Sequence, residues 1–192
     1  MNFKMNLLAA AALMAATAPA FAVMQGATSG NGELLLNVRY YNGAGNAGGD
    51  DISAVFDLGV TMDDFLAHKN DAGFSMNWNL NAANYGTAFA DVLAFAGANA
   101  ANIEFNVIAL DNTDTGAVVG GARYLTTSVG TTFSIVNSKL NNFQNMDVYV
   151  VANNARGTHV TEENGASSAV QSDGSAVNPV YFGSIDGGAG DT

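Results

Sequence analysis

The chain has 192 residues, 48 % hydrophobic and 12 % charged, with 22 Gly, 2 Pro, no Cys, and 17 acidic against 6 basic side chains, a formal net charge of −11. An apolar content near one half excludes an extended disordered chain, and the glycines lack the every-third-residue period that a collagen-like triple helix requires. The few, scattered Lys and Arg cannot neutralise a row of phosphates, which argues against nucleic acid as a partner and disfavours docking on anionic lipid.

The first 22 residues have the pattern of a secretory leader. Lys4 supplies the positive start, residues 7–16 the apolar stretch, and Ala20-Phe21-Ala22 a small-x-small cleavage site. Residues 1–22 are therefore expected to be removed as a signal peptide, which takes away Lys4 and no acid and leaves 5 basic against 17 acidic groups. The apolar stretch covers about ten residues against the ~20 of a membrane helix, and no later run approaches that length, so no integral span is expected after cleavage. Without Cys there is no disulfide framework, and stability must come from an ordinary core. The compact leader and the acidic, Cys-free chain point to Sec export in a Gram-negative bacterium, to the exterior or the outer cell surface.

Along the mature chain, period-2 alternation is the strongest signal. Residues 33–41 and 52–58 are rich in β-branched and aromatic side chains and are bounded by Gly, Asn or Asp, so both read as strands. Thr61 can cap a helix over 62–69, with Asp64 as capping-box partner and Met62, Phe65 and Leu66 on the buried face. Phe74, Met76, Trp78 and Leu80 then alternate with Ser75, Asn77, Asn79 and Asn81, the pattern of a half-buried strand. Residues 87–96 form a helix with Phe89, Val92, Leu93 and Ala96 on one stripe. Ile103, Phe105, Val107 and Ala109 alternate with Glu104 and Asn106 as a further strand, followed by strands at 122–127, 131–136 and 147–152 and a short helix at 139–145 capped by Ser138. Runs of strands with occasional helices predict a mainly β domain with short helices, an α+β chain built as a β-sandwich. The expected division is a signal peptide at 1–22, a β-rich domain at 23–152, and a low-complexity tail at 153–192 or the start of further β-structure around Val180, Tyr181 and Phe182.

No motif carries a recognisable chemistry. Gly43-Ala44-Gly45-Asn46-Ala47-Gly48 matches the dinucleotide pattern, but Gly49, Asp50 and Asp51 follow where a helix N-terminus is needed, so a hairpin loop is the better reading. Asp111 to Gly116 opens like a calcium loop, yet Thr113, Thr115 and Ala122 stand at ligand positions of an EF-hand, which leaves an Asx-stabilised turn. No cofactor is expected; calcium is the ion that these acid-rich turns could take, with Asp50, Asp51, Asp111 and Asp114 as the candidate ligands. Gly187 to Asp191 approaches the calcium-binding nonapeptide but occurs once. His68 and His159 lack a second imidazole or thiol at ligand spacing, even with Glu162 and Glu163 beside His159, so zinc is not expected. No Ser-His-Asp triad or acid/base carboxylate pair can be placed, and no catalytic residue is assigned. The amide row Asn77, Asn79 and Asn81, beside Glu104 and Asn106 if those strands pair, would be a polar sheet face able to hydrogen-bond glycans, or an ordinary solvated face.

The stretches from Val55 through Val60 to Phe65, from Phe105 to Asp111, and from Gly121 to Thr127 resemble exported proteobacterial proteins of the PEP-CTERM type. The resemblance spans about half of the mature chain and includes no catalytic signature. It implies a protein handled at the cell envelope in association with exopolysaccharide or biofilm matrix. The Pro-Glu-Pro-like motif, terminal apolar span and basic tail of that type are not in this sequence, so the chain is expected to be incomplete as a folding unit. The reading is an exported, non-enzymatic surface or matrix protein whose partners are exopolysaccharide or other surface proteins. A glycan- or calcium-binding adhesive module is the alternative, and a secreted hydrolase the third.

Overall fold

The computed structural model describes residues 23–26, 29–42, 50–111, 123–127, 145–157, 161–163 and 180–182. The leader at 1–22, the glycine loop at 43–48, Asp114, the expected strand at 131–136, the expected helix up to residue 144, His159 and the 187–191 turn lie outside them.

The architecture is α+β and mainly sheet. Strands β1 (Glu33–Tyr40), β2 (Ile52–Thr61), β3 (Ile103–Asp111), β4 (Arg123–Thr126) and β5 (Thr161–Glu163) form one antiparallel sheet in the order β4-β3-β1-β2-β5. Among the described residues the layers facing this sheet are helical, where a sandwich would place a second sheet. β1 is the middle strand and β2 lies beside it, so both are covered on their two faces. Their near-continuous burial follows from that position.

The route from β2 to β3 covers one face. It runs through α1 (Met62–His68), an extended stretch at 74–80, α2 (Ala82–Tyr85), α3 (Ala88–Ala96) and a 3-10 segment (Gly97–Asn102). Thr61 caps α1 as expected, its Oγ1 accepting from the Asp64 N–H and donating to the Asp64 carboxylate. On this face Val38, Tyr40, Ile52, Ala54 and Phe56 pack against Tyr85, Ala88, Val92 and Ala96, and Leu34, Leu58 and Ala109 pack against Met62. The rings of Tyr85 and Phe89 stand edge-on to Phe56, at 5.6 and 6.5 Å between centroids. Leu93 faces outward, because the inward stripe of α3 is Ala88, Val92 and Ala96.

Two strand expectations are corrected. Residues 74–80 alternate in burial as the sequence predicts, but they form no strand. They cross the sheet face, where Trp78 donates from Nε1 to the Leu58 carbonyl at 3.1 Å and Phe74 meets Phe65 edge-on. Alternation reports an extended chain with one side covered; a strand also needs a neighbour for its ladder. Residues 147–152 belong to a helix, α4 (Asn145–Arg156). Val148, Val150 and Val151 favour a strand by propensity, yet Tyr149, Val150 and Asn153 are buried at helical spacing while Val151 is 67 % exposed. α4 crosses the expected 152/153 boundary, and beyond it β5 pairs with β2 while Tyr181 is buried. Val180, Tyr181 and Phe182 form a turn rather than a strand.

α4 lies on the opposite face of the sheet from α3. There Leu35, Val55 and Ile108 pack with Tyr149, Val150 and Met24, and Phe182 closes the cluster edge-on to Tyr149. Gly32 is required at the edge of this layer, since a Cβ would sit 2.3 Å from the Leu110 carbonyl oxygen. The β1/β2 ladder shifts register between Glu33 and Leu35, where Gly59 adopts φ +64°.

Phe56 is fully buried, so Phe56→Ala should lower the unfolding free energy by about 3–5 kcal/mol in urea titration. Val151→Glu, on the outer side of α4, should change it by less than ~0.5 kcal/mol. A strand at 147–152 would place Val151 on the same face as Tyr149 and make that second substitution costly.

Candidate functional site

The polar residues that could carry chemistry collect on the α4 side of the sheet. β1 directs Glu33, Asn37 and Arg39 to that face, and the ladders set Ser53, Asn106 and Glu104 beside them. Polar groups removed from water cost several kcal/mol unless they are hydrogen-bonded, so their partners define the site. Asn37, 1 % exposed, donates from Nδ2 to Asn106 Oδ1 at 3.1 Å and accepts at Oδ1 from the Tyr149 hydroxyl at 2.9 Å. Burial holds the Tyr149 phenol well above its usual pKa, so it remains a donor.

One residue pair further along, Arg39 donates from Nη2 to Glu104 Oε2 at 3.0 Å, and its guanidinium lies 5.1 Å from the centre of the Tyr41 ring. At the end of the strip Asp51 accepts from the Asn42 N–H at 2.9 Å and lies 3.4 Å from the Tyr181 hydroxyl. Ser53 Oγ accepts from the Phe182 N–H at 2.9 Å. Asn153 on α4 donates from Nδ2 to the Val180 carbonyl at 3.4 Å and to the Tyr149 carbonyl at 2.9 Å. This strip therefore joins the sheet, α4 and residues 180–182.

At the other end of the same face stand two buried carboxylates. Glu33 Oε2 accepts from the Gln25 N–H at 2.8 Å, and Asp57 Oδ1 accepts from the Gly59 N–H at 2.7 Å. Burial raises the pKa of each; the negative charge of Asp57 adds to the rise at Glu33, and the backbone hydrogen bonds partly offset it. Asp51 is raised as well, chiefly by burial. Two acids with raised pKa values on one face are the arrangement expected of a general acid, but both are enclosed within the sheet layer.

Arg123 makes a separate node. Its Nε and Nη2 hold the Asp111 carboxylate at 2.8 and 2.7 Å, its Nη1 pairs with Asp63, and its Nη2 also donates to the Gly30 carbonyl at 3.2 Å. The fork of donors on one guanidinium thus ties β4 to β3, to α1 and to the loop before β1.

The residues singled out by sequence are dispersed. Asp50 and Asp51 precede β2, whereas Asp111 ends β3 at the opposite end of the sheet and is engaged by Arg123. Among the described residues no group of three or more His, Asp or Glu side chains is placed to hold a metal ion. His68, at the end of α1, pairs with Asp71 at 2.9 Å. Asn77 and Asn79 are exposed on the extended stretch, and exposed Asn81 caps α2 by accepting from the Asn84 N–H. They do not flank Glu104 and Asn106, which lie across the sheet on the α4 side, so the expected polar sheet face does not form. Sequence reasoning missed Glu33, Asn37, Arg39 and Asp57; the one available signal was polar residues separated by even intervals in otherwise apolar strands.

Glu33, Asp51 and Asp57 all have folded-state pKa values above their unfolded ones. Their contribution to stability is fully present below the unfolded values near ~4 and is lost as pH rises through the folded values. Urea melts at fixed ionic strength should therefore show the contribution of these three groups growing as pH falls toward the ordinary carboxylate value near ~4, and Asp57→Asn should reduce it. Arg123→Ala should cost about 1–3 kcal/mol, because it removes the guanidinium that holds the buried Asp111 carboxylate to β4, α1 and the loop before β1. Arg123→Lys should restore only part of the loss, since an ammonium cannot span three acceptors in the same fork.

No protein-family model, curated protein or solved structure matches this chain, so the site is read from its own geometry.

Proposed function

We propose that this is an exported, non-enzymatic protein of the cell surface or extracellular matrix, working through association with exopolysaccharide or with other surface proteins. One observation carries the reading: the polar side chains that meet across the fold are directed at one another. Asn37 with Asn106 and Tyr149, Arg39 with Glu104, and Arg123 with Asp63 and Asp111 join secondary-structure elements. The excess of 17 acidic over 5 basic groups left after leader removal gives the exported chain a net negative charge that makes copies of it repel one another. The leader pattern and the resemblance to envelope-associated proteins of the PEP-CTERM type support the same compartment.

A second reading, a glycan-binding module, rests on the exposed amides of Asn77 and Asn79 on one side of the extended stretch. Amides presented side by side can donate to and accept from sugar hydroxyls. Asn77→Ala with Asn79→Ala should then abolish retention on immobilised exopolysaccharide while leaving the melting temperature unchanged.

For the leading reading, the chain produced in a Gram-negative host should appear outside the cytoplasm with Val23 as its first residue by N-terminal sequencing. Recovery from the cytoplasm with Met1 in place would overturn it.

A further inference from the structure

From the expected cleavage site the chain passes into the core within two residues. Val23 is 70 % exposed, but the next side chain, Met24, is 2 % exposed among Leu35, Val55, Ile108, Tyr149 and Val150. The main chain is held at both residues after Val23. Asn154 on α4 accepts at Oδ1 from the Met24 N–H and donates from Nδ2 to the Met24 carbonyl, both at 2.9 Å. The Gln25 N–H donates to Glu33 Oε2 at 2.8 Å, and the Gln25 carbonyl accepts from the Glu33 N–H at 3.1 Å. A protease grips its substrate as an extended strand, through main-chain groups on both sides of the bond it cuts. On the C-terminal side of the bond between Ala22 and Val23, the groups it needs are already bonded to Asn154 and Glu33.

We propose, resting on the leader reading above, that folding closes this cleavage site: the leader is removed before Met24 docks, and a chain that folds first keeps it. Folding does not wait for cleavage, because Val23 points to solvent and a residue before it does not enter the core. Two products therefore share one folded body. In the first, a leader peptidase has added water across the Ala22–Val23 amide, leaving a carboxyl group on Ala22 and an amino group on Val23. In the second the apolar residues 7–16 stay attached. A folded chain is cut only while residues 24 and 25 are open, so its rate follows the population of that opened form. Exposing one buried methionine and breaking its main-chain bonds should slow cleavage about 100-fold.

Order of addition tests this on the full chain. A purified Gram-negative leader peptidase is added either at the moment of dilution from urea or after folding is complete, and the cut at Val23 is followed by mass spectrometry. Early addition should yield the product that begins at Val23; late addition should leave most of the chain intact, slowed by the factor given above. Asn154→Ala removes the clamp on Met24 without touching the sequence that the peptidase reads, and should restore cleavage of the folded chain. If that variant does not melt cooperatively, Asn154→Asp takes its place, since a carboxylate still accepts from the Met24 N–H but cannot donate to its carbonyl. Val92→Ala weakens the opposite face, where Val92 is fully buried on α3, and should leave the folded chain resistant. Equal rates in both orders of addition overturn the proposal. Acceleration by Val92→Ala as large as that by the Asn154 variant overturns the role of the clamp, and no cut at Val23 in either order overturns the leader reading itself.

Discussion

The hydrogen bond from the Tyr149 hydroxyl to the Asn37 amide fixes the layer on which the rest of this fold depends. β1 is roofed on both faces, so an amide at its centre has no access to water and must be met by protein groups. Tyr149 from above and Asn106 from the neighbouring strand meet that requirement together. The contact specifies where α4 sits along the sheet, because a helix displaced by one turn would take the phenol away from the Asn37 Oδ1 and leave only the strand-side bond to Asn106. Apolar packing alone, with Val150 on Leu35, Val55 and Ile108, would accept a sliding helix; the amide does not.

From that position α4 reaches three otherwise separate pieces of chain. Tyr149 holds the sheet, Asn153 holds the Val180 carbonyl, and Asn154 holds both main-chain groups of Met24. Consecutive residues point about 100° apart around a helix, which is why Asn153 and Asn154 can serve opposite sides. Segments near 24 and near 181 in the sequence are thereby brought to one layer, and the ring of Phe182 stacks edge-on against Tyr149 to complete it.

Cations are scarce in this chain, and two of the described arginines show how they are used. Arg39 and Arg123 each join elements distant in sequence, the first across the β1/β3 pair and the second among β4, β3 and α1. Three carboxylates with raised pKa values lie on or beside the two central strands, so part of the acidic excess works against the fold at neutral pH.

The sequence by itself determined the central strands, the capped helix after Thr61, the helix ending at Ala96 and the α+β class, because each is written in local periodicity and capping chemistry. Residues 52–58 run apolar as a buried strand must, 103–109 alternate as a strand even though Phe105 is exposed, and Thr61 with Asp64 is a local contact. Tertiary structure decided the rest. At 74–80 the alternation was legible, but whether an extended chain finds a ladder partner depends on which sheet edges are free. At 145–156 four β-favouring residues became helix because Tyr149, Val150 and Asn153 gain more by facing the sheet at helical spacing than propensity costs. The candidate site was invisible for the same reason: Asn37, Asn106, Tyr149 and Asn154 are unremarkable in sequence. Their chemistry exists only as hydrogen bonds across separations of 69, 112 and 130 residues, and no local pattern encodes contacts that only folding brings together.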